Sequence, residues 1–419
     1  MEKDTLKSNP YPEVTNLDNL QALVEQLFAF QKERNFRDKD VSDVLSSSVY
    51  AYFLPRSTRS FPAKVVYFFL DKLNKHYGDT LRSVFSLDSS FQYPQAHALI
   101  IRGLIKLYPV NPTNILEHEI RGLGDELLEM RQKSFENFGW GQPFDWPSRQ
   151  IMRAGTPRAT VSSQVGMAFL DIYEAFKDEK YLKWAERICH MFIENFNYTP
   201  DADGDFCFSY TTEDNYHVHN ASTLAAAFLI RTHYHTSNQK YLDYGQRALQ
   251  FTAKHQNPDG SWFYRAKPDK VTGLIDNYHT GFVLESYLDS KAYWTGGDFP
   301  FELELKAGFE YYIRNFFTDK FEPKYRPDKI YPIDIQACAQ SLLTVILYRR
   351  NAENNQEHKQ ILDGILNYTL INFYNGKGQF YYRMYPNRID KNSFIRWGDS
   401  WMIRAIGEYM YSEFHEKNH

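Results

Sequence analysis

Residues 160–176, TVSSQVGMAFLDIYEAF, and residues 181–195, YLKWAERICHMFIEN, decide the fold. The first stretch is apolar or small on nearly every side, so a helix made from it is expected to be buried all round. The second carries charged residues on one face and apolar residues on the other, the pattern of a helix on a surface. The pair recurs. Similar apolar segments lie at 96–107, 220–234, 279–288, 335–348 and 397–409, with starts roughly 60 residues apart, the period of a helical hairpin with long loops. Amphipathic segments follow at 181–195, 241–254, 302–316 and 358–373.

Inner and outer helices at this period predict an all-α fold, an (α/α)6 toroid of about six hairpins. The last inner segment has no partner after it, and the amphipathic stretch 17–32 can supply one, closing the ring with the N-terminus. An open solenoid is the alternative, but its repeats are shorter and more uniform than these. The expected organisation is an N-terminal helical segment, 1–90, packing on a toroid formed by 91–419.

Composition narrows the function. The chain has 419 residues, and its formal net charge is −4 with acidic and basic residues interspersed. No basic block suggests nucleic acid, and no polybasic stripe suggests anionic lipid. No apolar run approaches the ~20 residues that span a bilayer, and the polar N-terminus lacks the apolar core of a signal peptide. Three scattered cysteines, Cys189, Cys207 and Cys338, with no CxxC, fit a reducing, cytoplasmic compartment. Aromatics make up 17 % of the chain. Part of that packs helices together, and part suits sugars, whose apolar faces stack on aromatic rings.

The polar clusters fall at the starts of the inner segments. A toroid gathers all its inner-helix N-termini at one mouth, so these clusters are expected to converge on a cleft where helix dipoles favour anionic or hydroxylated ligands. The first cluster is W-G-Q-P-F-D-W-P-S-R, with Trp140, Asp145, Trp146 and Arg149 as binding candidates. The plain structural alternative is a loop with an Asp–Arg pair. The second holds Tyr210 and the H-x-H-N run of His217, His219 and Asn220. Alternate histidines on an extended segment can share a zinc, but no third ligand is evident, so hydrogen bonding to a ligand or helix capping is the better reading and no metal is expected. The third, Asp276-Asn277-Tyr278-His279-Thr280-Gly281, packs a carboxylate, amide, phenol, imidazole and hydroxyl into one helix start. Tyr278, His279 and Asp276 are the catalytic candidates, with Asn277 binding. The fourth contributes Asp334 and Gln336. The fifth contributes Arg396, Trp397, Asp399 and Trp401, with Arg396 placed to clamp a carboxylate or phosphate unless it pairs with Asp399. The turn N-P-D-G-S-W at 257–262 reads as structural, with Trp262 packing on the ring.

Six ordered blocks carry a resemblance. They are W-G-x-P-F-D-W-x-x-R, F-S-Y…V-H-N, D-G-S-W, D-N-Y-H-T-G-F-V-L, P-I-D-I-Q-x-C-A-Q and R-W-G-x-x-W-M. Together they resemble an α/α-toroid family of bacterial and archaeal surface-polysaccharide gene clusters, often labelled delta-aminolevulinic acid dehydratase. That label implies a TIM barrel, which the absence of alternating strands and helices rules out. The block Asp276–Thr280 is also similar to the W-D-Y-H-T block of heparan glucuronyl C5-epimerases. Tyr278, His279 and Thr280 match it, whereas Ile275 replaces the Trp and Asn277 interrupts the D-Y pair. The resemblance implies a carbohydrate-active protein of polysaccharide biosynthesis. It would act on an acidic glycan by acid–base chemistry as an epimerase, lyase or hydrolase, with no cofactor. The alternatives are a non-catalytic glycan-binding or assembly protein, and a prenyl- or terpenoid-processing toroid, whose D-D-x-x-D or D-x-D-D cluster is missing here.

Overall fold

A computed structural model describes residues 16–57, 59–85, 87, 90–132, 138–147, 151–269, 273–351 and 356–418. Its helices run, in chain order, α1 (Leu17–Glu33), α2 (Ser48–Ser57), α3 (Phe61–Val84), α4 (Pro94–Leu107), α5 (Asn114–Glu129), α6 (Ala159–Phe176), α7 (Glu179–Asn195), α8 (His219–Thr236), α9 (Gln239–Lys254), α10 (Asn277–Ala292), α11 (Glu302–Asn315), α12 (Ile335–Asn351), α13 (Gln356–Phe373) and α14 (Ser400–Asn418). Strands among the described residues are only two or three residues long.

The helices α4, α6, α8, α10, α12 and α14 each touch the next, and α14 returns to α4. This is a closed (α/α)6 toroid, as the 60-residue period predicts. The inner helices are buried almost throughout, and α1 packs on α14. The seam between first and last inner helices is a glycine contact. A Cβ on Gly103 would lie 2.6 Å from the Ile403 carbonyl oxygen, and one on Gly407 2.5 Å from that of Gly103.

Successive hairpins share local devices. α6 and α8 end on Lys177 and Ser237 in the left-handed conformation, each donating its N–H back to a carbonyl of the last turn. Asp178 and Asn238 then cap α7 and α9 with their side chains. In the preceding loops, the Ser162 and Ser222 hydroxyls accept from the Trp140 and Phe208 amides. Trp262 is buried and donates its indole N–H to the Thr252 carbonyl, the structural role its turn predicts.

A set of buried polar contacts engages all six inner helices. Arg404 of α14 pairs with Glu285 of α10, which also accepts from Gln340 of α12 at 2.8 Å. Arg102 of α4 reaches Gln164 and Asp171 of α6, and Asp171 meets Arg231 of α8 at 2.6 Å. Isolated buried charges are costly, and these contacts pair them.

Candidate active site

At the start of α10, Asp276 is the N-cap. Its Oδ1 accepts from the His279 amide at 3.0 Å, and its Oδ2 lies 2.7 Å from His279 Nδ1. A carboxylate only accepts, so His279 donates from Nδ1, and in the neutral ring Nε2 carries the lone pair. Asp276 is buried and the His279 ring half-buried. That ring packs against Tyr264 and Tyr278, each at a centroid distance of 4.4 Å. Burial above all, then the charges of Asp276, Tyr325 and Asp334, holds the Tyr278 phenol protonated well above its ordinary range, against the pull of Arg383. The cluster therefore offers an oriented base next to a neutral acid. His219, Asn220, Tyr264, Asp276, His279 and Thr280 share one small pocket.

Other mouth residues are coupled around this centre. Asp334 caps the Gln336 amide with Oδ1 at 2.9 Å and accepts from Arg383 on Oδ2 at 2.6 Å. Tyr210 lies beside Arg158, the residue before α6. Arg158 is buried, with its guanidinium 5.0 Å over the Trp146 ring. No ion pair joins it to a carboxylate among the described residues. Burial, and then neighbouring Arg396, push it below the usual arginine range against the opposing pull of Tyr210 and Asp40.

Several candidates have other roles. Trp140 is wholly buried and donates to the Leu127 carbonyl, and Trp401 is buried against Phe282, so neither shows a ring face to a sugar. Trp146 packs on Phe144 as well as Arg158. Asp145 holds its own loop through Arg153 and the Ala154 amide. Asn277 accepts from Tyr312 and Ser341, tying α10 to α11 and α12. Asp399 is buried among Gln31, Ser393 and the Phe380 amide. Arg396 is no open clamp, because Asp40 holds it through both Nε and Nη2 and also accepts from the Trp397 indole at 3.3 Å. These two residues belong to a π-helical turn, Ile395–Asp399, leading into α14. Arg149 lies outside the described residues.

The two histidines of H-x-H diverge. His217 leans on Asp269, with Nδ1 3.5 Å from Oδ1. His219 bonds Thr252 at 3.1 Å, and burial, then His255 and His217, push it down to about 3. Among the described residues, only Asp201, Asp203 and Asp205 are grouped as metal ligands would be, and Lys254 bonds all three. Asn220 Oδ1 and Gln336 Oε1 are buried and lack a hydrogen-bond partner among the described residues, as do Ser163 Oγ and Gln164 Nε2. All four sit in the first two turns of inner helices.

The sequence patterning does not single out Arg158, Arg383, Tyr264 or Asp40. Arg158 precedes an inner helix like the other clusters, and that position was a usable signal. Asp40 lies in the N-terminal segment, and its place at the mouth follows from packing alone.

No family model matches the sequence, and no curated protein does. Solved structures share the fold. A D-mannose isomerase is similar over 97 % of this chain and 100 % of its own, at 13 % identity and a TM-score of 0.64. A possible GH105-family member from Salmonella enterica covers 98 % and 99 %, at 11 % and 0.62. Cellobiose 2-epimerase from Bacillus thermoamylovorans covers 76 % and 87 %, at 8 % and 0.62. At these identities the likeness is one of fold, the α/α toroid.

Proposed function

We propose that this protein is a carbohydrate-active enzyme of surface-polysaccharide biosynthesis that moves a proton on an acidic glycan. The observation that carries the reading is the Asp276–His279 pair at the N-terminus of α10. His279 Nε2 takes a proton from a carbon next to a carboxylate, and the neutral Tyr278 phenol returns one. The developing negative charge is met by inner-helix N-termini and by Arg158. The orphaned amide and hydroxyl groups of the first two turns suit a ligand rich in hydroxyls, since buried polar groups are normally paired. The six sequence blocks support the pathway, and the isomerase and epimerase neighbours share a scaffold with such chemistry.

Hydrolysis is less well supported. It needs two carboxylates about 5–10 Å apart, one an acid and one a base or nucleophile. Asp145, Asp276, Asp334 and Asp399 are each engaged by a base, an arginine or several donors.

The test uses uronate-bearing oligosaccharides and the variants His279→Ala and Tyr278→Phe. Each is expected to lose at least ~100-fold in product formation while its helical circular dichroism stays unchanged. Arg158→Ala is expected to raise KM for the uronate. Wild-type activity in both His279→Ala and Tyr278→Phe would overturn the catalytic reading in favour of a glycan-binding protein.

A further inference from the structure

α2 and α3 form a hairpin outside the ring. It is anchored by the Arg82–Asp43 ion pair and by contact with the short strand Trp146–Pro147 beside the mouth. The hairpin's packed side includes Tyr50, which bonds the Leu70 carbonyl. Its other side is apolar and uncovered. Over three turns of α3, Phe61 is 78 % exposed, Phe69 59 % and Phe68 53 %, and Val65, Val66 and Leu73 are exposed with them. Tyr52 of α2 extends the patch. Solvent-facing aromatics grouped in this way mark an interaction surface.

The charge around the patch identifies the partner. Residues 48–84 hold six basic residues against two acidic ones, on a chain with a net charge of −4. Arg56, Arg59, Lys64 and Lys72 are exposed. The Arg56 guanidinium lies 3.9 Å over the Tyr52 ring and the Lys72 ammonium 4.7 Å over Phe68, so the cations sit directly beside the exposed aromatics. Arg56, Arg59 and Ser60 also line a shallow cavity of about 590 Å3 at the hairpin tip, large enough for a phosphate headgroup. Pairing this face with a second copy would bring like cations together. An exposed helix with an aromatic face and flanking cations fits the boundary between headgroups and acyl chains.

We propose that the α2–α3 hairpin docks on an anionic lipid surface, with Phe61, Phe68 and Phe69 entering the acyl boundary and Arg56 and Arg59 meeting lipid phosphates. No helix among the described residues is long and apolar enough to cross a membrane. The contact with Trp146–Pro147 places the lipid surface beside the ring mouth.

Flotation of the full chain with vesicles tests it. Binding is expected on phosphatidylcholine carrying about 30 % phosphatidylglycerol, and at least ~10-fold less on phosphatidylcholine alone. Salt raised to about 0.5 M is expected to weaken it. Phe61→Ser and Phe69→Ser are each expected to cut partitioning by roughly 10-fold or more. Both side chains are exposed, so the variants are expected to keep the wild-type melting temperature and helical spectrum. Equal binding to both vesicles, or to neither, overturns the proposal. So does a dimer in sedimentation that Phe69→Ser dissociates, which would assign the face to a second copy.

Discussion

Asp276 engages the His279 ring through Nδ1, leaving Nε2 as the other ring nitrogen. Asp276→Asn is expected to leave the helix capped but loosen control of the tautomer, lowering the rate at least ~100-fold with a smaller effect on KM. Steady-state kinetics on the same uronate panel check this. Asp40 is a residue of a different kind. Removing it leaves the buried Arg396 charge unpaired, so Asp40→Ala is expected to cost about 3–5 kcal/mol in chemical denaturation. Asp276, Tyr278 and His279 are legible in the sequence as one cluster because a single helix turn supplies all three. Asp40 is not, because the partner of Arg396 is 356 residues away in the chain. Trp140 and Trp401 depart from the expected platforms for a related reason. A Trp in a polar loop looks like a platform, but Trp140 turns inward to satisfy its N–H on Leu127.

The inner helices were readable because burial on all sides leaves an apolar, small-residue sequence. Their outer partners were readable because half-burial leaves a periodic one. Ring closure was foreseeable from the unpartnered last helix, but the small seam that permits it was not. Gly103→Ala or Gly407→Ala forces a methyl against a carbonyl of the facing helix, and each is expected to destabilise the protein by about 1–3 kcal/mol. Denaturation midpoints measure that, and Gly122→Ala is the control, since its added methyl would meet nothing within 4 Å. The hairpin α2–α3 escaped the reading of composition because its cations are spread among aromatics. Only exposure reveals that the aromatics lie uncovered.

For the whole molecule, the buried charges set the pH dependence. Burial pushes Glu408 up, but Arg350, Lys106 and Arg404 outweigh it and bring it down to about 2. Arg231 and His235 likewise hold Glu174 below the usual carboxylate range against burial. For both, the unfolded chain binds protons first, so their contribution is present above about pH 4.5 and is lost as pH falls toward 2. His219, at about 3, acts in the same direction from about pH 6.5 down, because the unfolded imidazole takes up the proton. Asp289 opposes them. Burial and Glu285 raise it to about 6, so it gains stability as pH falls from 6 to 4. Thermal melts are therefore expected to show a gentle slope above pH 4 and a steep loss below it. His219→Gln is expected to remove part of the slope between pH 6.5 and 3.

Under the proposed function, the Asp276–His279 pair transfers a proton at carbon. Incubation of a uronate-bearing oligosaccharide with the protein in deuterated water, followed by NMR, tests it most directly. The expected result is deuterium at a carbon beside the carboxylate, lost in His279→Ala. New reducing ends without deuterium, or the same exchange in His279→Ala, would contradict it.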